Sequence, residues 1–412
     1  MYNHTNLNAI PAMPEVERVA ACYQPIVALD TRRIVGYEVL GRERIGENYQ
    51  TLGPFFADSR VDVNDQLRID RLVREDALAK LAQTPEPTKL FINLRPSWMY
   101  KMYHETGELL TLRLLDKYRI DPTRIVVEVT EEAFRGSMKA LREVIDVYRK
   151  YGCQIAIDDV GSGFSNADRI AQIGPSLLKV DIHLMKKSAV HAGYLGVLRS
   201  FSTLAEQIGA SLLIEGIETK QELQRAIEIG ARYVQGFLFS RAEPDFRVSG
   251  DFSDLIEEEL EEHRNKLVSA QQYWRGQANR LVRLVSGMPG MPFQSPQAAD
   301  EYIEQMLPGL RDNCVRVYLC RDNGIQISSN FFRADKGVWS KQTDYRGANW
   351  SWRPYFISNL LILEGRSEAI VSCTYTDLDT QRRMRTLTAH IGEGCVLFID
   401  MIDTEDAQMA II

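Results

Sequence analysis

SMKALREVIDVYRKYGCQIAIDDVGSGFSN, residues 137–166, holds the pattern from which the fold can be read. A helical pattern over 137–151 is closed by Gly152, where a helix C-cap favours a residue free to turn left-handed. A short β-branched run, 154–158, follows and ends in two acids, Asp158 and Asp159, before the glycines Gly161 and Gly163. The same unit recurs on both sides. Strand-like runs fall at 22–29, 34–39, 89–93, 125–129, 154–158, 178–181, 212–215 and 233–237, with helical patterns at 65–82, 193–208 and 220–229 between them. Gly209 and Gly230 close two of those helices as Gly152 closes the first. Such alternation predicts a parallel sheet with covering helices, and eight strands within about 225 residues fit an α/β fold of the TIM-type (β/α)8 barrel.

The domain plan that follows is an N-terminal segment at 1–20, the barrel at 21–250, a connecting helix at 251–286 and a smaller α+β domain at 287–412. In the connecting helix Leu260, Leu267, Trp274 and Leu281 are spaced by seven, but the companion positions His263, Ala270 and Gln277 are too polar for a strong zipper. A connector packed along one stripe is the expectation. Strand-like runs at 315–320, 324–328, 368–375, 385–390 and 394–399 predict an antiparallel sheet for the last domain.

With 45% apolar and 25% charged residues, the 412-residue chain has material for packed cores, and its formal charge of -7 argues against a broad DNA- or RNA-binding face. No basic start precedes an apolar leader, and no stretch approaches the roughly 20 apolar residues of a membrane span, so a cytoplasmic protein is expected. The six cysteines form no CxxC pair and the six histidines are scattered, which disfavours zinc, disulfide and His-centred nucleophile chemistry.

Acids and amides fall at the strand ends: Glu38 in YEVL, Asn93 in FIN, Glu128 in VVEV, Asp158 and Asp159 in IAIDD, Glu215 in LLIE and Gln235 in YVQ, with Lys179 in LLKVD. In a barrel these ends converge on one mouth. Each residue alone has a plainer reading: Glu38 as a surface acid, Asp158 and Asp159 as a turn and cap, Glu131 as a first-turn helix acid, Lys179 as an ion-pair partner of Asp181 or Glu215, Gln235 as a polar strand end. Together they would crowd like charges unless protons or cations compensate. An all-oxygen donor set suits Mg²⁺ or Mn²⁺, and two such ions sharing one acid would stand roughly 4 Å apart, as in phosphoryl substitution. Judged from acids and barrel alone, an unrelated Mg²⁺-dependent enzyme such as an enolase-type lyase also fits.

The stretches YQPI, EVLGR, FIN, EVTEE, IDDVGSGFSN, LLKVD, IEGIET and VQGFLFS stand in order between Tyr23 and Pro244. In that order they resemble the EAL-domain family of cyclic di-GMP phosphodiesterases. The resemblance implies two cations, Mg²⁺ or Mn²⁺, the first held by Glu38, Asn93, Glu128 and Asp158, the second by Asp158, Asp159 and Glu215, with Glu218 supporting the metal site. It implies that Lys179 orients the attacking water, with Gln235 as its neighbour, and that Glu131 keeps the loop after Asp159 in its active shape. Glu215 is the residue sometimes given the role of base. Gln24, Arg42 and Asp181 are the implied substrate contacts. The implied reaction opens cyclic di-GMP to linear pGpG by in-line attack of water activated by the two cations, with the 3′-oxygen leaving. EAL followed by NWSWRPYF, residues 349–356, resembles the YkuI-type architecture, which implies a PAS-like last domain and a homodimer through the barrels; a small cytoplasmic ligand of that domain, an anion clamped by Arg353, is the lesser alternative. The loop after the metal-binding aspartate, eroded in that type, is intact here. Val39, Arg95 and Ser162 stand where the family more often has Ala, Ser and Thr; Arg95 brings a charge close to the pocket. A receptor that binds cyclic di-GMP without hydrolysing it is the alternative, and the Trp350, Trp352, Tyr355 and Phe356 cluster with Arg353 is read as core packing with one salt bridge.

Overall fold

The computed structural model describes residues 11–403 except 85–87, 131–136, 162–166, 289–292, 294, 335–336, 364–367 and 393. The chain divides into two compact units, Met1–His263 and Arg264–Ile412. Among the described residues of the first unit, eight strands close a barrel: β1 (Val19–Ala28), β2 (Arg33–Ile45), β4 (Lys89–Leu94), β5 (Ile125–Val129), β6 (Gln154–Val160), β7 (Leu177–Val180), β8 (Ser211–Ile214) and β9 (Tyr233–Val234). A further strand, β3 (Asn48–Thr51), lies outside the ring and extends β2 as a hairpin.

The expectation of an all-parallel sheet needs one correction. From β2 through β4 to β9 the neighbours are parallel, but β1 is antiparallel to both β2 and β9. The connection explains it: residues 29–32 are all that joins β1 to β2, whereas a parallel crossover needs a dozen residues or more.

The covering helices include α1 (Gly53–Ala57), α2 (Val63–Ala82), α3 (Pro96–Thr106), α4 (Leu110–Tyr118), α5 (Met138–Tyr151), α6 (Ala167–Ile173), α7 (Ile182–Val190), α8 (Ala192–Ile208) and α9 (Lys220–Glu228). Ser137 caps α5 by accepting from the Ala140 N–H, and Gly152 ends it at φ 113. The apolar stripe of α5, Leu141, Val144, Ile145 and Tyr148, is buried in the layer between helices and strands. Inside the ring a separate plug forms from Ile26, Phe91, Val126, Ala156, Leu177 and Leu213. Gly36 makes room for it, since a Cβ there would stand 2.7 Å from the Lys89 carbonyl oxygen and 3.0 Å from the Phe91 ring.

The last barrel strand is shorter than 233–237 because the chain leaves the ladder at Gln235. Ile217 N–H donates to the Gln235 carbonyl at 2.9 Å, and Leu238 N–H donates to the Ile217 carbonyl at 2.9 Å. Gly236 is pressed so closely to this segment that an added Cβ would lie 2.1 Å from Ile217 O.

Helix α10 (Ser253–Ser286) begins in the first unit and continues in the second. Ile256 and Leu260 pack on the barrel core, and Trp274 and Leu281 on the core of the second unit. Leu267, between them, is 57% exposed, so the sevenfold spacing makes no continuous seam.

In the second unit β10 (Cys314–Arg321), β11 (Asn330–Arg333), β12 (Trp339–Gln342), β13 (Ala369–Val371), β14 (Tyr375–Thr376), β15 (Arg383–His390) and β16 (Cys395–Ile402) form an antiparallel sheet of order β12-β11-β10-β16-β15-β13, with β14 on β15. Period-2 alternation sends Val317, Leu319, Leu397 and Ile399 into the core shared with Ile303 and Met306 of α11 (Pro296–Met306). Tyr318, Cys320, Val396 and Phe398 go to the other core, with Phe356 of α12 (Pro354–Leu363).

The expected strand 324–328 forms only isolated bridges. Local side-chain bonds replace the ladder there: the Ser328 hydroxyl accepts from Leu319 N–H, and Asp300 accepts from both the N–H and the hydroxyl of Ser329. Of the aromatic cluster, Phe356 is buried and stacked on Phe398, Trp350 donates to Gln326, and Trp352 is exposed under the Arg353 guanidinium. Arg353 Nε is buried without a hydrogen-bond partner among the described residues.

Gly236→Ala is expected to destabilise the protein by about 3 kcal/mol or more, because backbone rather than a pliable side chain meets the added methyl group. Urea unfolding checks this; an unchanged midpoint would contradict the packing.

Candidate active site

Two residues beyond each plug residue on a parallel strand lies a polar one on the same face of the sheet. Phe91 is followed by Asn93, Val126 by Glu128, Ala156 by Asp158, Leu177 by Lys179 and Leu213 by Glu215. Because β1 runs the other way, its polar residue, Gln24, comes two positions before Ile26, and it pairs in register with Glu38 on β2. The alternation of eight strands thus stacks an oily floor beneath a polar mouth.

Lys179 is the hub. Its ammonium Nζ lies 2.7 Å from Glu128 Oε1, 3.0 Å from Glu215 Oε1, 3.2 Å from Asp158 Oδ1 and 3.8 Å from Glu38 Oε2. Neither Lys179 nor Glu128 is exposed, while the Glu215 side chain is 21% exposed and Asp158 13%. Asn93 Nδ2 donates to Glu38 Oε1 at 2.8 Å, and Gln235 Nε2 donates to Glu38 Oε2 at 2.7 Å and to Gln24 Oε1 at 3.2 Å. Gln24 in turn donates to the Ser240 carbonyl at 3.1 Å.

Burial works to lower the Lys179 pKa, but the surrounding carboxylates of Asp158, Glu128, Glu215 and Glu38 outweigh it and hold the ammonium charged. Burial pushes Glu128 and Glu215 well above the usual carboxylate range, and the attraction of Lys179 does not cancel it. One ammonium does not supply partners for all four acids. Both oxygens of Glu128 and Oε1 of Glu215 are buried without a well-directed hydrogen bond, despite their closeness to Lys179. Hard oxygen donors in that condition fit a hard divalent cation. Among the described residues, no three acids already stand in a metal-holding arrangement. The ammonium stands among them instead, so a cation entering here must draw the carboxylates away from Lys179.

Asp158 and Asp159 owe their position to a bulge. Ile157 pairs with Leu178 and Val160 with Val180, so β6 carries one residue more than β7 over this stretch. Asp159 takes up the difference at φ 52, a left-handed conformation that costs on the order of 1 kcal/mol or more for a non-glycine residue, and its N–H donates to Asp158 Oδ1 at 3.0 Å.

Other predicted residues stand apart from the hub. Arg42 is half-buried on β2 and donates to the Gly41 carbonyl at 3.0 Å and to Thr51 at 3.4 Å. Asp181 caps α7, accepting from His183 N–H at 2.6 Å. Glu218 is half-exposed with Lys186 at 3.7 Å, so it is not brought into the cluster. Glu131 lies outside the described residues, as do 162–166 of the glycine loop. The sequence reading missed Ser240, which steadies Gln24 through its carbonyl; a backbone acceptor leaves no mark in residue type. Arg95, expected to bring charge to the pocket, contacts Gln66, the Phe56 carbonyl and the Trp98 ring.

The model of the EAL domain matches residues 7–242. The chain belongs to the EAL-domain family. The remaining EAL-linked portion, residues 250–404, matches an EAL-domain associated signalling protein domain. An uncharacterized EAL-domain containing protein, YkuI of Bacillus subtilis, is 31% identical over 96% of this chain and 97% of its own length. The crystal structure of that YkuI in complex with cyclic di-GMP and calcium superimposes with a TM-score of 0.85, at 32% identity over 94% of this chain and 97% of that one. The cyclic di-GMP phosphodiesterase RocR of Pseudomonas aeruginosa is 32% identical over 55% of this chain and 57% of its own.

Lys179→Met leaves the EAL mouth with four acids and no internal counter-ion. In chelator it is expected to lose about 3 kcal/mol of stability, and millimolar Mg²⁺ should restore much of that loss by binding the folded state. Thermal unfolding with and without Mg²⁺ checks it; equal losses in both conditions would deny the ammonium this role.

Proposed function

We propose that this protein hydrolyses cyclic di-GMP to linear pGpG. The observation that carries the reading is the convergence of Glu38, Asn93, Glu128, Asp158 and Glu215 on one mouth, in a chain that shares its family with a named cyclic di-GMP phosphodiesterase. Full-length likeness to a protein solved with cyclic di-GMP and calcium supports the same ligand.

Glu38, Asn93, Glu128 and Asp158 would hold one divalent cation and Asp158, Asp159 and Glu215 a second, Mg²⁺ or Mn²⁺, with Glu218 at the margin. When bound, the cations supply Lewis acidity to the phosphodiester and lower the pKa of water. The protein's own part is positioning. Gln235 and Asn93 fix both oxygens of Glu38. Lys179, at the centre of these acids, would face the phosphate and the attacking water. Arg42, with Gln24 and Asp181, would meet the nucleotide, its guanidinium offering paired donors to a phosphate or guanine. Glu131 would brace the loop that follows Asp159.

A second reading is favoured by the Lys179 hub itself: a mouth already neutralised in part by an ammonium could bind the dinucleotide as a receptor without opening it. We also propose that the last domain, PAS-like with an antiparallel sheet, takes a small cytoplasmic ligand, and that the protein acts in the cytoplasm. The unpaired state of its cysteines supports that location, and among the described residues no helix is long and apolar enough to cross a membrane. Pairing of barrels into a homodimer is supported by exposed apolar residues near the junction of α7 and α8, Val190, Tyr194 and Val197.

Purified protein with Mg²⁺ or Mn²⁺ is expected to convert cyclic di-GMP to pGpG, and Glu38→Ala or Asp158→Ala to lower turnover at least about 100-fold with an unchanged circular dichroism spectrum. Tight binding in Ca²⁺ with no pGpG in any divalent ion would select the receptor. Light scattering at micromolar concentration should give a dimer; a monomer removes that part of the proposal.

A further inference from the structure

Arg95 directly follows the strand that carries Asn93, at the N-cap position of α3. Its guanidinium donates to the Phe56 carbonyl and, at 3.3 Å, to Gln66 Oε1, and it lies 4.6 Å from the Trp98 ring centre. Gln66 is buried and donates from its amide to the carbonyls of Phe55 at 2.9 Å, Phe56 at 3.0 Å and Asp58 at 3.3 Å. The end of α1 is therefore gripped by a paired amide and guanidinium, both anchored on rigid elements.

The start of that same segment is tied to Arg42. Leu52 N–H donates to the Gly41 carbonyl at 3.3 Å, the same oxygen that receives Arg42 Nη1 at 3.0 Å. Thr51 Oγ1 accepts from Arg42 at 3.4 Å and from Gly53 N–H at 3.1 Å. One short segment, 51–58, thus connects Arg95 at one end with Arg42 at the other. On the strand side, Asn93, two residues before Arg95, donates to Glu38 on the strand that also carries Arg42.

We propose that Arg95 is a positioning residue for the substrate side of the mouth: by clamping 51–58 it fixes where the Arg42 guanidinium meets the nucleotide. This rests on the reading of the mouth as a cyclic di-GMP site. The arrangement acts on binding rather than on bond cleavage, because these contacts lead through Phe56 to the segment that bonds Arg42. A stacked, forked guanidinium suits the task better than an ammonium, since it bonds to two acceptors in one plane while its face covers an indole.

Calorimetric titration of the full chain with cyclic di-GMP in Ca²⁺ tests the proposal through a double-mutant cycle. Arg95→Ala should weaken binding about tenfold in the otherwise wild-type protein, and no more than about twofold in the Arg42→Ala background. Where turnover in Mg²⁺ is measured, the loss should fall on KM with kcat within about twofold. Arg95→Gln, which keeps a donor for Phe56, should recover part of the affinity, and carries the same cycle if Arg95→Ala does not fold. Equal losses in both backgrounds, or no loss in either, overturn the inference while leaving the cyclic di-GMP reading intact. Wild-type protein that fails to bind the dinucleotide removes that reading and this inference with it.

Discussion

A buried ammonium among four carboxylates is the arrangement on which the rest of the first unit depends. Lys179 has no exposed surface, and desolvating a charge is costly unless partners are placed around it. The four acids come together because the barrel holds β2, β5, β6 and β8 in register, with an apolar plug filling its floor. The excess negative charge is as much a product of the fold as the plug is. On the proposed reading, this crowding of acids is what would favour hard cations at the mouth.

The same tension gives the catalytic and receptor readings a common physical root. On the proposed reading, hydrolysis would require divalent ions to compete with Lys179 for Glu128, Asp158 and Glu215. Around that centre the protein spends conformational strain sparingly: one left-handed aspartate at the β6 bulge, and close backbone contact at Gly236.

The second unit solves a different problem with the same alternation. Its sheet buries apolar side chains on both faces, and two buried acids packed there are paired: Asp300 by Ser329, Lys341 and Arg346, and Asp400 by Arg316 and Thr386. α10 contributes Trp274 and Leu281 to that core, making its later half part of the domain rather than a free connector.

Much of this was legible in residue order. Glu38, Asn93, Glu128, Asp158, Lys179, Glu215 and Gln235 could be chosen because each ends an apolar run, and a barrel sends such ends to one place. The antiparallel β1 was equally implicit in its four-residue connection, yet the repeated strand–helix pattern masked it. Residue order determined which side chains share a face, because alternation in a strand is fixed by backbone geometry. Only the tertiary structure decided which of them touch: that Lys179 sits between the acids, that Glu218 turns to Lys186 and that Arg95 reaches back to Phe56. Those contacts depend on packing between segments far apart in the chain, and local periodicity carries no information about that distance.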